Sequence, residues 1–178
     1  MMTYNIRYDN PNDGANWWDL RKSEVIGLIQ KYDPDFFGLQ EAMPNQTEFI
    51  SSQLKAYKYI GIGRDGKGTN SEGAPIFYKP ETYELLQTET IWLSATPDTI
   101  SRGWDAALNR IVTYAIFKNN ATNKTIHIFN AHFDHRGKLA RQKSAELLVD
   151  FIQKNELSNE PVVLMGDFNA LPMDVPIQ

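Results

Sequence analysis

The sequence contains no cysteine, only three histidines and no long apolar run. The absence of cysteine excludes disulfide bonds and thiolate metal sites, and it leaves the redox compartment undetermined. No apolar segment approaches the roughly 20 residues that a membrane-spanning helix requires, so no membrane span is predicted. The first residues, MMTYN, do not resemble a signal peptide. The location therefore stays open: the protein is cytoplasmic, or it is exported and its leader has been removed.

The chain also carries little net charge, −4 at pH 7 over 178 residues. Its overall field does not attract nucleic acid, so binding of a polyanion requires a local basic patch or a bound cation. Hydrophobic residues make up 42% and charged residues 22% of the chain, a composition that disfavours disorder. The length fits one domain with a sizeable core and is short for two. We therefore predict a single domain over residues 1–178.

The most informative segment is PVVLMGDFNA, at residues 161–170. The apolar residues after its proline predict a short buried strand. Because residues two apart in a strand point to the same side, Asp167 and Asn169 share a face while Phe168 points into the core. A carboxylate and an amide at the end of a buried strand can hold a metal, orient a water or stabilise an oxyanion. The same residues are also typical of a strand that ends in an Asx turn.

Helical and strand patterns alternate along the rest of the chain. One helix is predicted between Asp19, which can cap it, and Pro34, and another is predicted after Gly137. Residues 111–117 and 125–132 predict an antiparallel strand pair, so the sheet is not purely parallel. This alternation predicts an α/β or mixed layered domain.

The middle of the chain is less regular. Residues 91–93 predict a short strand. Five glycines between Gly61 and Gly73 predict a mobile loop, which contains Arg64 and carries Glu72 toward the next strand.

Polar side chains follow four of the predicted apolar strands. They are Asn5, Glu41, Asn130 with His132, and Asp167 with Asn169. Layered α/β proteins assemble their sites at strand ends, so we expect these side chains to converge. Gathered carboxylates need a cation, and oxygen ligands without thiols favour Mg²⁺, Mn²⁺ or Ca²⁺ over zinc. Glu72, Asp105 and Asp134 add possible carboxylates, and Arg7 and Arg110 can bind an anionic substrate.

Six segments carry motifs in a fixed order. They are MTYNIR at 2–7, LQE at 39–41, Glu72 before IFY at 76–78, GWD at 103–105 with NR at 109–110, NAHFDH at 130–135 and GDFNA at 166–170. In this order they resemble the endonuclease/exonuclease/phosphatase superfamily, which includes DNase I-like nucleases, deadenylases, sphingomyelinases and inositol phosphatases. The segments NIRYD and GWDAAL are similar to the corresponding motifs of bacterial members. The resemblance implies a four-layer α/β sandwich of two mixed sheets flanked by helices.

The resemblance also implies an enzyme: a metal-dependent hydrolase of phosphate esters that acts by in-line attack of an activated water. Asp167 would orient or activate the water, and Asn169 would stabilise charge on the phosphorus. His132 would donate a hydrogen bond to the scissile phosphate, and Arg110 would lie near it. Glu72 would lie beside the site, orienting a catalytic histidine or contacting substrate.

The implied cofactor is Mg²⁺ or Mn²⁺, held by Asn5 and Glu41. The implied partner is a phosphate ester, and the sequence does not distinguish a nucleic acid, a phospholipid head group, or a sugar or inositol phosphate. A diester and a monoester also remain equally open, and the oligomeric state is not indicated.

The resemblance is incomplete at the C-terminus. Superfamily members end with a further strand and an Asp-His pair, and residues 170–178 contain no such pair. His127 lies on the strand face opposite His132, so it is expected to be structural, and His135 is expected to be a loop contact or a neighbour of the site. The sandwich is therefore expected to be incomplete at its C-terminus, as in a truncated member that is poorly active by itself.

A second class of function stays open, a fragment or binding module that keeps the fold but lacks the catalytic acid/base. The simplest alternative for the proposed site residues is a set of unrelated strand-end caps. Asp105 and Asp134 also fit loop caps, and Trp17, Trp18 and Trp104 fit core or loop anchors better than base-stacking platforms.

Overall fold

The computed structural model describes the backbone of residues 1–178 and the side chains of 1–157 and 159–178. The strands of one sheet are β1 (Met2–Asn5), β2 (Phe36–Gln40), β3 (Lys58–Ile60) and β4 (Ile76–Tyr78). Those of the other are β5 (Tyr83–Trp92), β6 (Ile111–Asn119), β7 (Thr125–His132) and β8 (Val162–Asp167). The strand orders are β1-β2-β4-β3 and β5-β6-β7-β8.

Both sheets are mixed, as predicted. The pairs β1–β2 and β7–β8 are parallel, and the remaining neighbours are antiparallel. The antiparallel β6–β7 pair predicted from the sequence is confirmed. The two parallel pairs position the candidate site. In each pair both strands end at the same edge of the sheet, so the polar residues at the ends of β1 and β2, and of β7 and β8, lie close together.

Three helices flank the sheets: α1 (Trp18–Tyr32), α2 (Pro44–Gln53) and α3 (Lys138–Lys154). Helices α1 and α2 share one apolar core with β2 and β4, and α3 shares another with β6 and β7. A third core lies between the sheets, where Phe36 and Ile76 meet Phe117 and Ile128. The result is the predicted four-layer sandwich. Of the helices in the described chain, none combines the length and apolar character needed to cross a membrane.

The alternation of side chains along each strand assigns residues to these cores. In β2, Phe37 and Leu39 face the helices, whereas Phe36 faces the second sheet. In β7, Phe129 faces α3 and Ile128 faces the first sheet. The same alternation directs His132 toward the cleft between the sheets.

Three local expectations differ from the structure. Helix α1 begins at Trp18, one residue before Asp19, which pairs with Lys22 at 2.6 Å in place of capping the helix. Strand β5 is ten residues long, although only its last two residues lie in the predicted segment 91–93. The glycine-rich loop at 61–73 is tied to its surroundings by several hydrogen bonds, which are described below.

Candidate active site

Asn5, Glu41 and Asp167 meet where the two sheets approach each other. Asn5 ends β1, Glu41 directly follows β2, and Asp167 ends β8. The Nδ2 atom of Asn5 donates hydrogen bonds to Glu41 Oε1 at 3.0 Å and to Asp167 Oδ2 at 2.9 Å. The two acceptor oxygens are therefore less than about 6 Å apart, because one amide can reach both. The expected convergence of these strand ends is observed.

The backbone around this amide is strained. Arg7, Glu41 and Asn169 have φ angles of 55°, 57° and 47°, in the left-handed region that side chains other than glycine rarely adopt. Such residues cost about 1–3 kcal/mol each and persist where the surrounding structure holds them. Glu41 is held in this way, because its Oε2 accepts a hydrogen bond from the backbone N–H of Tyr8 at 3.1 Å and lies 3.8 Å from Arg7 Nη1.

Asp167 is both a turn-forming and a site residue. Its Oδ1 accepts a hydrogen bond from the backbone N–H of Asn169 at 2.9 Å, which is the Asx turn that the sequence also suggested. Burial alone raises the pKa of Asp167, but the hydrogen bonds from Asn5 and from the Asn169 backbone outweigh it and lower the pKa below its usual value. The carboxylate is therefore ionised at neutral pH, with Oδ2 directed at Asn5.

His132 is buried and neutral. Burial and the positive charge of Arg110 lower the pKa of His132 to about 4. The Nη1 atom of Arg110 lies 3.2 Å from both ring nitrogens, and a guanidinium group only donates hydrogen bonds. It therefore interacts with the unprotonated nitrogen and leaves the N–H of the other as a donor for an anion.

Arg110 lies beside His132, and other protein groups occupy its guanidinium. It is only 5% exposed. Its Nε donates to Asp134 Oδ2 at 3.2 Å, and its Nη2 lies 2.8 Å from Nδ1 of His135. Burial raises the pKa of Asp134, but backbone hydrogen bonds, from Gly137 first, lower it well below its usual range. Arg110 thus joins one buried carboxylate to two imidazoles.

Glu72 lies beside the site, and its partner is an arginine. Arg64 Nη1 donates to Glu72 Oε2 at 2.8 Å. Both residues line a small cleft together with His132 and Arg110. The expected role of Glu72, to orient a catalytic histidine or to contact substrate, stays a prediction. The analysis of motifs did not select Arg64, whose only sequence signal is its place in the glycine-rich loop before Glu72.

Asn169 lies beside Asp167 and uses part of its amide within the protein. Its Nδ2 donates to the carbonyl oxygen of Phe133 at 3.0 Å. An amide nitrogen carries two N–H groups, so one hydrogen remains for a substrate oxygen.

Asn130 lies near the C-terminal end of β7, one of the converging strands, and its side chain connects the two sheets. Its Nδ2 donates to the carbonyl oxygens of Leu39 and Pro75 at 2.8 and 2.9 Å, and its Oδ1 accepts from Gln40 at 2.7 Å. Asn130 is fully buried. These hydrogen bonds tie β7 to the first sheet, so its role is structural.

Asp105 and His127 are structural as well. Asp105 Oδ1 accepts a hydrogen bond from the backbone N–H of Ala140 at 2.7 Å, in the first turn of α3. His127 faces α3, with Nδ1 2.7 Å from the Tyr114 hydroxyl and Nε2 2.9 Å from Glu160 Oε2. The period-2 argument that separated His127 from His132 is therefore confirmed.

The residues at this site fit a hard divalent cation. Glu41 and Asp167 supply carboxylate oxygens, but Asn5 directs its N–H groups at them while its Oδ1 accepts from the Arg7 backbone at 2.9 Å. In this arrangement the nitrogen of the Asn5 amide faces the two carboxylates, while its oxygen has one hydrogen bond and a second lone pair. The expected ligand role of Asn5 therefore stays a prediction. Among the described side chains, no three His, Asp or Glu residues are placed to share an ion. Two carboxylates suffice for Mg²⁺, which usually keeps several waters and binds one or two protein carboxylates.

Fold and site together define a class: a four-layer α/β sandwich with carboxylate, amide and imidazole groups at the mouth of its paired sheets. The sequence profile of the Endonuclease/Exonuclease/phosphatase family matches residues 2–178, and the chain belongs to this family.

Solved structures of high similarity include two from Bacteroides species. An endonuclease/exonuclease/phosphatase from Bacteroides vulgatus is 42% identical, with a TM-score of 0.93 over 98% of this chain and 67% of that one. A mannosyl-6-phosphatase from Bacteroides thetaiotaomicron is 37% identical, again with a TM-score of 0.93 over 98% of this chain and 67% of that one.

Among curated proteins, an uncharacterised protein of Acanthamoeba polyphaga mimivirus is 33% identical over 168 residues. That alignment covers 86% of this chain and 59% of the viral protein. The chain thus spans about 60% of the length of this relative and about two thirds of the solved structures. Relatives that are phosphoesterases support a hydrolase of this family.

Proposed function

We propose that the whole protein is a Mg²⁺- or Mn²⁺-dependent hydrolase of phosphate esters that acts by in-line attack of water. One observation carries the proposal: the Asn5 amide holds the carboxylates of Glu41 and Asp167 together, one from each sheet. The ionised carboxylate of Asp167 near the neutral imidazole donor of His132 suits a reaction in which water loses a proton and a phosphoryl group gains negative charge.

Each side chain has a definite task in this reaction. Asp167 accepts a hydrogen bond from the attacking water and then its proton, as the bond from the water oxygen to phosphorus forms. His132 donates its N–H to a non-bridging oxygen, where negative charge grows, and Asn169 donates its remaining amide hydrogen in the same way. Arg110 holds the ring of His132. The ester P–O bond opposite the water then breaks, its electron pair goes to the leaving oxygen, and this oxygen takes a proton from solvent to become the alcohol product.

Glu41 would hold the cation, with Asp167 as the second carboxylate within reach. A bound divalent cation supplies Lewis-acid stabilisation of the phosphoryl oxygens. Asn5 would keep the two carboxylates at a fixed separation by donating to both. The ligand role that the resemblance implies for the Asn5 oxygen stays a prediction beside this donor role.

We propose a phosphomonoester, in the first instance a sugar phosphate, as the substrate. The 37% identical relative with this fold over 98% of the chain is named a mannosyl-6-phosphatase, which supports this choice. Inositol phosphates, phospholipid head groups and nucleic acids are the alternatives that a substrate panel must include.

The test is a hydrolysis panel on the full-length protein with Mg²⁺. It comprises mannose 6-phosphate, an inositol phosphate, sphingomyelin, bis-p-nitrophenyl phosphate, RNA and DNA. Asp167→Asn keeps the shape and removes the charge, so kcat should fall by at least about 100-fold with KM little changed. Asp150→Asn, on the exposed side of α3, is the matched control and should leave kcat unchanged. No turnover of any substrate would favour the non-catalytic binding module.

A further inference from the structure

The glycine-rich loop at 61–73 is fixed over the buried Arg110. The backbone N–H of Arg64 donates to the Glu72 carbonyl at 2.9 Å, and the Arg64 side chain donates to the Glu72 carboxylate at 2.8 Å. Trp92 Nε1 donates to the Arg64 carbonyl at 2.8 Å, and Asn109 Nδ2 donates to Asp65 Oδ1 at 2.8 Å. These contacts hold Arg64 in place from both ends of the loop.

Arg64 shares a cleft of about 10 Å³ with Glu72, Arg110 and His132. A space of this size holds one water-sized group. It is therefore of the size of a single phosphate oxygen and too small for a whole phosphate group. The positive charge of Arg64 reaches His132, whose pKa it helps to lower.

The two arginines of the cleft differ in what remains free on them. The guanidinium of Arg110 is committed to Asp134, His132 and His135, and the residue is 5% exposed. In the described part of the chain, the guanidinium of Arg64 contacts only Glu72, through Nη1, and its side chain is 16% exposed. Arg64 therefore keeps Nε and Nη2 for another acceptor, whereas Arg110 does not.

We propose that Arg64, aimed by Glu72, binds a non-bridging oxygen of the substrate phosphate in the cleft that it shares with His132. This inference rests on the proposed phosphoesterase function. Arg110 then acts as a positioning residue for His132, and Glu72 acts as a positioning residue for Arg64. A guanidinium suits this task because its fork of N–H groups can serve a carboxylate and a phosphate oxygen simultaneously.

The experiment uses the full-length protein with Mg²⁺ and measures KM, kcat and competitive inhibition by inorganic phosphate. Calorimetry of inorganic phosphate binding, without turnover, is done in parallel. Arg64→Met should raise KM and the inhibition constant of phosphate by about 10- to 100-fold, because hydrogen bonds to charged groups are strong. Arg64→Lys should restore part of the affinity, since it keeps the charge but loses the fork. Glu72→Gln should weaken phosphate binding less than Arg64→Met.

Lys79→Met is the matched control, because Lys79 forms a 2.8 Å ion pair with Asp33 on another part of the fold. It should leave KM and phosphate binding unchanged. Arg64→Gln is measured beside Arg64→Met so that the result does not depend on the folding of one variant. Phosphate binding within twofold of the wild type in either variant, or no binding by the wild type, would overturn the inference. Phosphate binding that depends on Arg64, without hydrolysis of any ester, would instead refute the proposed function and leave Arg64 as a phosphate-binding residue of a non-catalytic protein.

Discussion

Gly166 of β8 lies directly against Ala131 of β7, so closely that a side chain at position 166 would overlap the carbonyl oxygen of Ala131. A Cβ built there would also lie 2.8 Å from the Ala131 nitrogen, and Gly166 has a φ of 150°. The two residues are paired in the parallel β7–β8 register, one position before His132 and Asp167. The absence of a side chain at 166 therefore brings the imidazole and the carboxylate side by side.

Gly166→Ala should lower both stability and activity. The added methyl group forces β8 away from β7, which costs about 1–3 kcal/mol by overpacking and displaces Asp167 with it. We expect kcat to fall by at least about 10-fold, measured beside urea unfolding. Gly27→Ala is the matched control, because a Cβ at Gly27 in α1 meets nothing within 4 Å. It should stabilise the protein by about 0.5–1 kcal/mol with unchanged kcat. A Gly166→Ala variant of wild-type stability and activity would contradict the tight strand contact.

The effect of a divalent metal on thermal stability should depend on Glu41. A ligand that binds only the folded state raises stability by mass action, so Mg²⁺ or Mn²⁺ should raise the Tm of the wild type. Glu41→Gln should abolish most of this rise. Glu48→Gln, an exposed substitution on α2, should keep the full rise. Equal metal-induced shifts in Glu41→Gln and the wild type would exclude Glu41 as a ligand.

His132 should impose a pH dependence on stability. Its pKa falls from 6.5 in the unfolded chain to about 4 in the fold, so between these values the unfolded state binds more protons. The stabilisation is complete above pH 6.5 and is lost as the pH falls toward 4, by about 3 kcal/mol in total. The check is urea unfolding of the wild type and His132→Gln from pH 7 to 4, with chelator present. Parallel curves for the two proteins would show that His132 titrates normally.

The sequence was sufficient for the fold class because its apolar periodicity is strong where the core is deep. Strands β2, β6 and β7 are buried along most of their length, and their patterns predicted them. Strand β5 was underestimated, because most of its residues from Tyr83 to Thr90 are polar and lie at an exposed sheet edge. Apolar periodicity in a sequence reflects burial, and these residues are largely exposed. The backbone of β5 nevertheless pairs with β6.

The candidate site was predicted in its residue types and less well in its contacts. Strand periodicity placed Asp167 and His132, but it could not tell which end of the Asn5 amide faces the carboxylates. The orientation of the amide is set by the backbone N–H of Arg7, which donates a hydrogen bond to the Asn5 oxygen. The Arg64–Glu72 pair was missed for a similar reason, because it depends on how a glycine-rich loop closes. Glycine permits many backbone conformations, so the sequence does not predict which conformation the loop adopts.

The hydrogen bond from Asn5 to Asp167 joins residues 162 positions apart. Closing a loop of that length costs entropy that is recovered only when both sheets are in place. At a synthesis rate of about 5–20 residues per second, Asp167 is added roughly ten seconds or more after Asn5. The nascent chain can build its first sheet and hold Glu41 in that time, yet it has no complete site. The proposed catalytic arrangement of Asn5, Glu41 and Asp167 can therefore form only after β8 has been synthesised.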